Sequence, residues 1–278
     1  MTLGIRHRRL PICSACSLAI FLASVAVPVA QPLNAGVATR PGEGQASTLV
    51  APALGAHTLL GQEDQVAVSP AVTTPIATQS AGSSLLAFSA GYTSNSNGPT
   101  DNKGNNWTLL GSPVIYNGYN GAFDVKAYVS ISAAGGAGHT LSIVKSGVAN
   151  GELTLPFVEI RNADVLRDVA RNYPTGSTTL TSPTVSTTGP ATLIALWWGD
   201  GGGLQHSAVP DSGFSIIENF VNLPPMSAVQ CVVAARQVTR AGSYHVSWTQ
   251  TPDPGAPLWL FAFQSSDTVF RTDFEVAL

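Results

Sequence analysis

From residue 66 to 264 the chain alternates short apolar runs with clusters of Gly, Asn, Pro and Ser. SSLLAFSAG, NNWTLLG, FDVKAYVSIS, HTLSIVK and LTLPFVEI follow one another in that order. Runs of this length, rich in β-branched and aromatic residues and bounded by turn formers, predict the strands of an all-β domain. A more polar stretch, RNADVLRDVARNYPTG, interrupts them, and Val165, Leu166 and Val169 would share one face of a short helix there. Strand patterns then resume through PLWLFAFQ. Residues 31–65 show no sustained period and predict a flexible leader or linker.

The second set of strands resembles the first. TPIATQSAGSSLLAFSAGY, residues 74–92, aligns without a gap to SPTVSTTGPATLIALWWGD, residues 182–200. Pro75 falls on Pro183, Leu85 on Leu193, Ala87 on Ala195 and Gly91 on Gly199. WTLL at Trp107 then matches FSII at Phe214, HTLSIVK matches YHVSWTQ, and FVEI matches LFAF. Apolar alternation recurs cheaply among strands, but a match that also keeps Pro, Gly and strand phase does not. The pattern predicts two repeats, about 72–160 and 182–264, joined by a connector over 161–181 that is a short helix or loop. Neither repeat alone would have a sufficient core. Packed together they form one pseudo-symmetric antiparallel β-sandwich of jelly-roll type over 66–264, with a C-terminal tail from 265 to 278.

The N-terminus changes the picture of where the protein works. MTLGIRHRRL is basic, and SLAIFLASVAVPVA is apolar and rich in small residues, the features of a secretory signal peptide over residues 1–30. Ser24 with Ala26 offers one cleavage pattern, and Ala30 another. A membrane anchor is the alternative, but Pro11, Pro28, Pro32 and Asn34 break up the uncharged run of residues 10–38. No later segment is long and apolar enough for a spanning helix. The expectation is a secreted, cell-surface or periplasmic protein with no stable membrane span after cleavage. Cys13 and Cys16 lie in the signal, so Cys231 is left alone, without a partner for an internal disulfide. Its apolar neighbours make it a small buried hydrophobe.

Only 10% of residues are charged. Without Arg6, Arg8 and Arg9 the thirteen basic residues fall to ten against sixteen acidic ones, a net charge of −6. No basic stripe remains to neutralise phosphates, which argues against nucleic-acid binding.

In TDNKGNNWTLL, the residues Asp101, Gly104, Asn105 and Trp107 form a stretched version of a D-x-x-G-N-x-W turn before a strand. In this it resembles secreted bacterial and phage-associated β-sandwich domains. The resemblance implies a sandwich and export, and it implies no activity.

Candidate chemistry is sparse. Trp197 and Trp198 replace Ser89 and Ala90 of the first repeat, so they add bulk that the first repeat does without. Adjacent strand residues point to opposite faces. A sandwich therefore takes at most one of them between its sheets and leaves the other on an outer face or under a loop, where an indole can stack on a sugar ring. The plainer alternative is that both merely pack. The loop after them, GDGGGLQHSAVPDSG, supplies Asp200, Gln205, His206 and Asp211, and the matching loop of the first repeat supplies Tyr92, Asn95, Asn97, Asp101 and Asn105. Such groups suit sugar hydroxyls, and they are also ordinary turn residues. Asp101, Lys103 and Asn105 lack the acidic density of a calcium loop. No zinc pair of the H-x-x-x-H type and no G-x-S-x-G elbow occurs. His139 and His245 fall near corresponding positions and point to the fold.

No metal, other cofactor or catalytic group follows from these residues. Glu159 aligns with Ala262, so the fold does not demand an acid there, and Asp164 and Asp168 follow in the connector. Glu159 with Asp164 or Asp168 could serve a glycosidase, or they could sit on a solvated strand end beside Arg161 or Arg167. The functional expectation is non-catalytic recognition of a polysaccharide or cell-surface glycan through Trp197, Trp198, Asp200, Gln205, His206, Tyr92, Asp101 and Asn105. Two alternatives stand beside it. One is a structural or adhesive surface protein that binds other proteins, and the other is a carbohydrate-active hydrolase or lyase.

Overall fold

A computed structural model describes residues 50–266 apart from 93–96, 117–122, 147–149, 201–206, 212, 222–228 and 252–254. The chain forms the expected all-β antiparallel sandwich. Each of its two main sheets is drawn from one half of the chain. The first runs β1 (Ala53–Gln62), β9 (Leu153–Arg161), β3 (Ser83–Tyr92), β7 (Phe123–Ala133) and β5 (Thr108–Leu109), with β6 (Val114–Ile115) also paired to β7. The second runs β10 (Val165–Asn172), β19 (Leu258–Gln264), β13 (Ala191–Asp200), β16 (Val229–Val238) and β15 (Ser215–Phe220).

Each main sheet carries a second, smaller layer on its outer face. Over the first lies a three-stranded sheet of β2 (Ala71–Val72), β8 (Leu141–Ile143) and β4 (Thr100–Asp101). Over the second lies a three-stranded sheet of β11 (Thr179–Thr181), β18 (Ser247–Thr249) and β14 (Val209–Pro210), with the pair β12 (Val185–Thr187) and β17 (Gly242–Tyr244). Three cores result. The central one joins Leu86, Phe88, Val158 and Ile160 of the first sheet to Ile194, Leu196, Phe261 and Phe263 of the second. One outer core places Leu85, Ala87 and Phe157 under Ala71, Leu141 and Ile143. The other places Leu193, Ala195 and Leu260 under Leu180, Val246 and Trp248. Period-two alternation thus sends every second residue of β3, β9, β13 and β19 into the central core and the rest into an outer one. This is why LTLPFVEI and LWLFAFQ read as continuous apolar runs.

Two expectations are corrected. The segment 161–181 contains no helix. It holds β10, whose residues Val165–Asn172 pair with β19 and form the leading edge of the second sheet. The leader assigned to residues 31–65 contains β1, which pairs with β9 from Ala53 opposite Arg161 to Gln62 opposite Leu153. Both edge strands are hidden in the sequence because each carries a bulge that breaks its alternation. In β1 the register slips between Leu54 and His57, so Leu54 and Leu59 pack on the same core although their spacing is odd. In β10 it slips between Leu166 and Asp168.

Candidate functional site

Trp197 and Trp198 are adjacent on β13, so they point to its opposite faces, and both are fully buried. Trp198 lies in the central core, where Tyr116 meets it edge-on with ring centroids 5.6 Å apart and Phe123 lies 6.2 Å away. Trp197 lies in the outer core beneath β18, with Leu193, Ala195, Leu258 and Trp248. Of the two indoles only Trp198 lies between the main sheets; Trp197 lies on the outer face of its sheet, which the outer layer covers, so both pack, as in the plainer of the two alternatives. Neither ring has an exposed face on which a sugar could stack.

The loop residues divide in a similar way. Tyr92 ends β3 opposite Phe123, and Asp200 ends β13 opposite Val229. Gln205, His206 and Asn95 lie outside the described residues. Asn97 donates to the Val144 carbonyl. Asp211 accepts the Ser247 amide at 2.7 Å and so ties the second half's loop to β18.

Asp101 organises the turn that carries the D-x-x-G-N-x-W resemblance. Its Oδ1 accepts the Lys103 amide at 2.7 Å and the Asn105 side-chain amide at 3.2 Å, and its Oδ2 accepts the Trp107 indole N–H at 2.7 Å. Asn105 bonds the Ala134 backbone in both directions, at 2.8 and 2.9 Å. Gly104 supplies the turn with a φ of +76°. Asp101 and Asn105 therefore hold the fold together here, with their polar atoms turned to the protein.

Behind this turn His139 is fully buried. Its Nδ1 lies 2.8 Å from Thr78 Oγ1, its Nε2 lies 3.4 Å from Asp101 Oδ1, and its ring meets Phe157 edge-on at 5.0 Å. Burial pushes its pKa down against the pull of Asp101, while Lys103 adds to the lowering and Glu159 opposes it. Burial pushes the Asp101 carboxyl up, but the Lys103, Trp107 and Asn105 donors and the nearby His139 outweigh it and leave its pKa below the usual value. A histidine held below its ordinary 6.5 is charged first in the unfolded chain, so stability falls as pH drops below that value. A carboxylate held below 3.8 contributes stability above that value, which is lost as pH falls through the folded pKa. Urea unfolding at pH 7.5 and 5.5 is expected to show the first loss, which His139→Gln removes, and the second is expected only below pH 3.8. Equal stability of the parent at pH 7.5 and 5.5 would contradict this.

The three carboxylates considered for catalysis serve three separate sets of donors. Asp164 accepts the amide and the hydroxyl of Ser266, both at 2.6 Å. Glu159 is buried in β9 and accepts Gln79 N at 2.6 Å, Ser83 Oγ at 2.7 Å and Ala56 N at 2.9 Å. It fills the β1 bulge, where a Cβ on Gly55 would overlap its Oε2. At the β10 bulge the acceptor comes from the other strand of the pair. Asp168, opposite Ala262, accepts the Ser186 amide at 2.7 Å and the Val169 amide at 2.8 Å, so position 262 needs no acid. Among the described residues no group of three His, Cys, Asp or Glu side chains is placed to hold a metal ion.

Beside Glu159 a cavity of about 510 Å³ opens, lined by Gly55, Ala56, Ala77, Thr78, Gln79, Glu159 and Arg161. Arg161 ends β9 and is exposed. One of its N–H groups bonds the Leu54 carbonyl at 3.0 Å, and the rest of the guanidinium has no bond among the described residues. Gln79 is also exposed; its Nε2 bonds the Ala81 carbonyl, and its Oε1 has no bond among the described residues. The position matching Arg161 in the second half is Gln264, which is fully buried and bonded to Thr188 and Pro190. Arg161 departs from that structural role, and this difference between the halves, with Glu159 against Ala262 and Gln79 against the buried Thr187, is the signal of the site in the sequence. No protein-family model, curated protein or solved structure matches the chain.

Proposed function

We propose that this is an exported β-sandwich protein that binds a polysaccharide or cell-surface glycan in the cavity beside the β1 bulge, without chemical turnover. The observation that carries the reading is the exposed pair Arg161 and Gln79, a donor and an acceptor, on a mouth framed by the buried Glu159 carboxylate. Hydroxyl groups need such mixed partners, and few polar groups fixed on a rigid frame are the mark of a small-molecule site. Glycoside hydrolysis needs two carboxylates facing each other across the bond. The lining contains one, and its oxygens hold three donors of the protein itself. Export is supported by the basic and apolar N-terminal segment and by the resemblance of the Asp101 turn to exported domains.

Calorimetric titration of the full chain with a panel of soluble polysaccharides tests the reading. Saturable binding is expected, weakened at least tenfold by Arg161→Ala with the unfolding midpoint unchanged, the size of a lost hydrogen bond to a charged donor. No saturable binding to any glycan overturns it. The search would then turn to protein partners, for which Leu109 and Ile216, exposed at matching positions of the edge strands β5 and β15, are the first surface to examine.

A further inference from the structure

We infer that the glycan is uncharged, and that the cavity selects a neutral sugar over an acidic one. The inference rests on the reading of the cavity as a glycan site and adds the class of sugar. Among the described residues Arg161 is the one cation of the lining and Glu159 the one anion. The carboxylate is buried, so water screens it poorly, and its field reaches the cavity beside the guanidinium. An acidic sugar would gain from Arg161 and lose to Glu159. The whole chain, with a formal net charge of −3, would also repel a polyanion.

A neutral ring meets no such conflict. The Arg161 N–H groups that have no bond among the described residues can donate to its hydroxyl oxygens, and Gln79 Oε1 can accept from a hydroxyl. Gly55, Ala56 and Ala77 keep the lining beside these groups free of bulky side chains. The volume of about 510 Å³ falls within the range of small-molecule sites, roughly 300–1,000 Å³, which fits a short length of a chain better than a broad polymer surface.

The test is titration of the full chain with a neutral galactomannan and a neutral dextran against polygalacturonate and alginate, each at low and high sodium chloride. Binding confined to neutral polymers is expected, with a Kd that changes less than twofold with salt and a loss of at least tenfold in both Arg161→Ala and Gln79→Ala. Preferential binding to a polyuronate that weakens with salt overturns the neutral ligand and leaves the glycan reading standing. Neutral binding untouched by both substitutions overturns the site. Binding to none of the polymers overturns the glycan reading itself.

Discussion

Truncating Trp198 to alanine is expected to lower the free energy of unfolding by about 3–5 kcal/mol, the usual cost of emptying a buried aromatic site. The indole is fully buried in the central core, and Tyr116 and Phe123 stand against it, so the cavity cannot collapse without moving rings from the other half of the chain. Trp197→Ala is expected to cost about as much, because the face it occupies is covered by β18 and its neighbours. A two-layer sandwich would give one severe and one mild variant. Equilibrium urea unfolding of the two decides between these, and a Trp197→Ala protein close to the parent in stability would contradict a packed outer layer.

The second large effect concerns Glu159. Its replacement by alanine is expected to cost about 3 kcal/mol, since Ala56 N, Gln79 N and Ser83 Oγ lose their acceptor together. Gly55→Ala is expected to cost about 1–3 kcal/mol alone, because its Cβ would overlap Glu159 Oε2. In the Glu159→Ala background that cost should disappear, since the carboxylate that it meets is gone. The four proteins of this cycle are compared by urea unfolding, and additive effects would mean that the carboxylate does not fill the bulge.

The strands of the sandwich interior are legible in the sequence because their apolar runs are long, and the register shift of the β3–β7 pair, between Ser83 and Leu85, falls at its end. Leu85 with Leu193, and Ala87 with Ala195, align in the chain and lie in the outer cores of their respective sheets. The edge strands β1 and β10 are not legible, because a bulge shifts the phase of alternation and makes a paired segment look aperiodic. The same bulge hides the site. It sets Gly55, Ala56 and Glu159 side by side although 103 residues separate Ala56 from Glu159.

Sequence by itself determined the all-β class, the interior strands, the buried Cys231 and the scarcity of basic residues, all of which follow from local patterning and composition. Tertiary structure alone decided that both tryptophans are core, since burial depends on what covers a sheet's second face and not on the strand itself. It also decided that Asp101, Asp164, Asp168 and Glu159 serve donors of the protein itself, and that Arg161 is left open beside a cavity. Those roles depend on which distant donors a carboxylate meets, and that is settled only when the layers close.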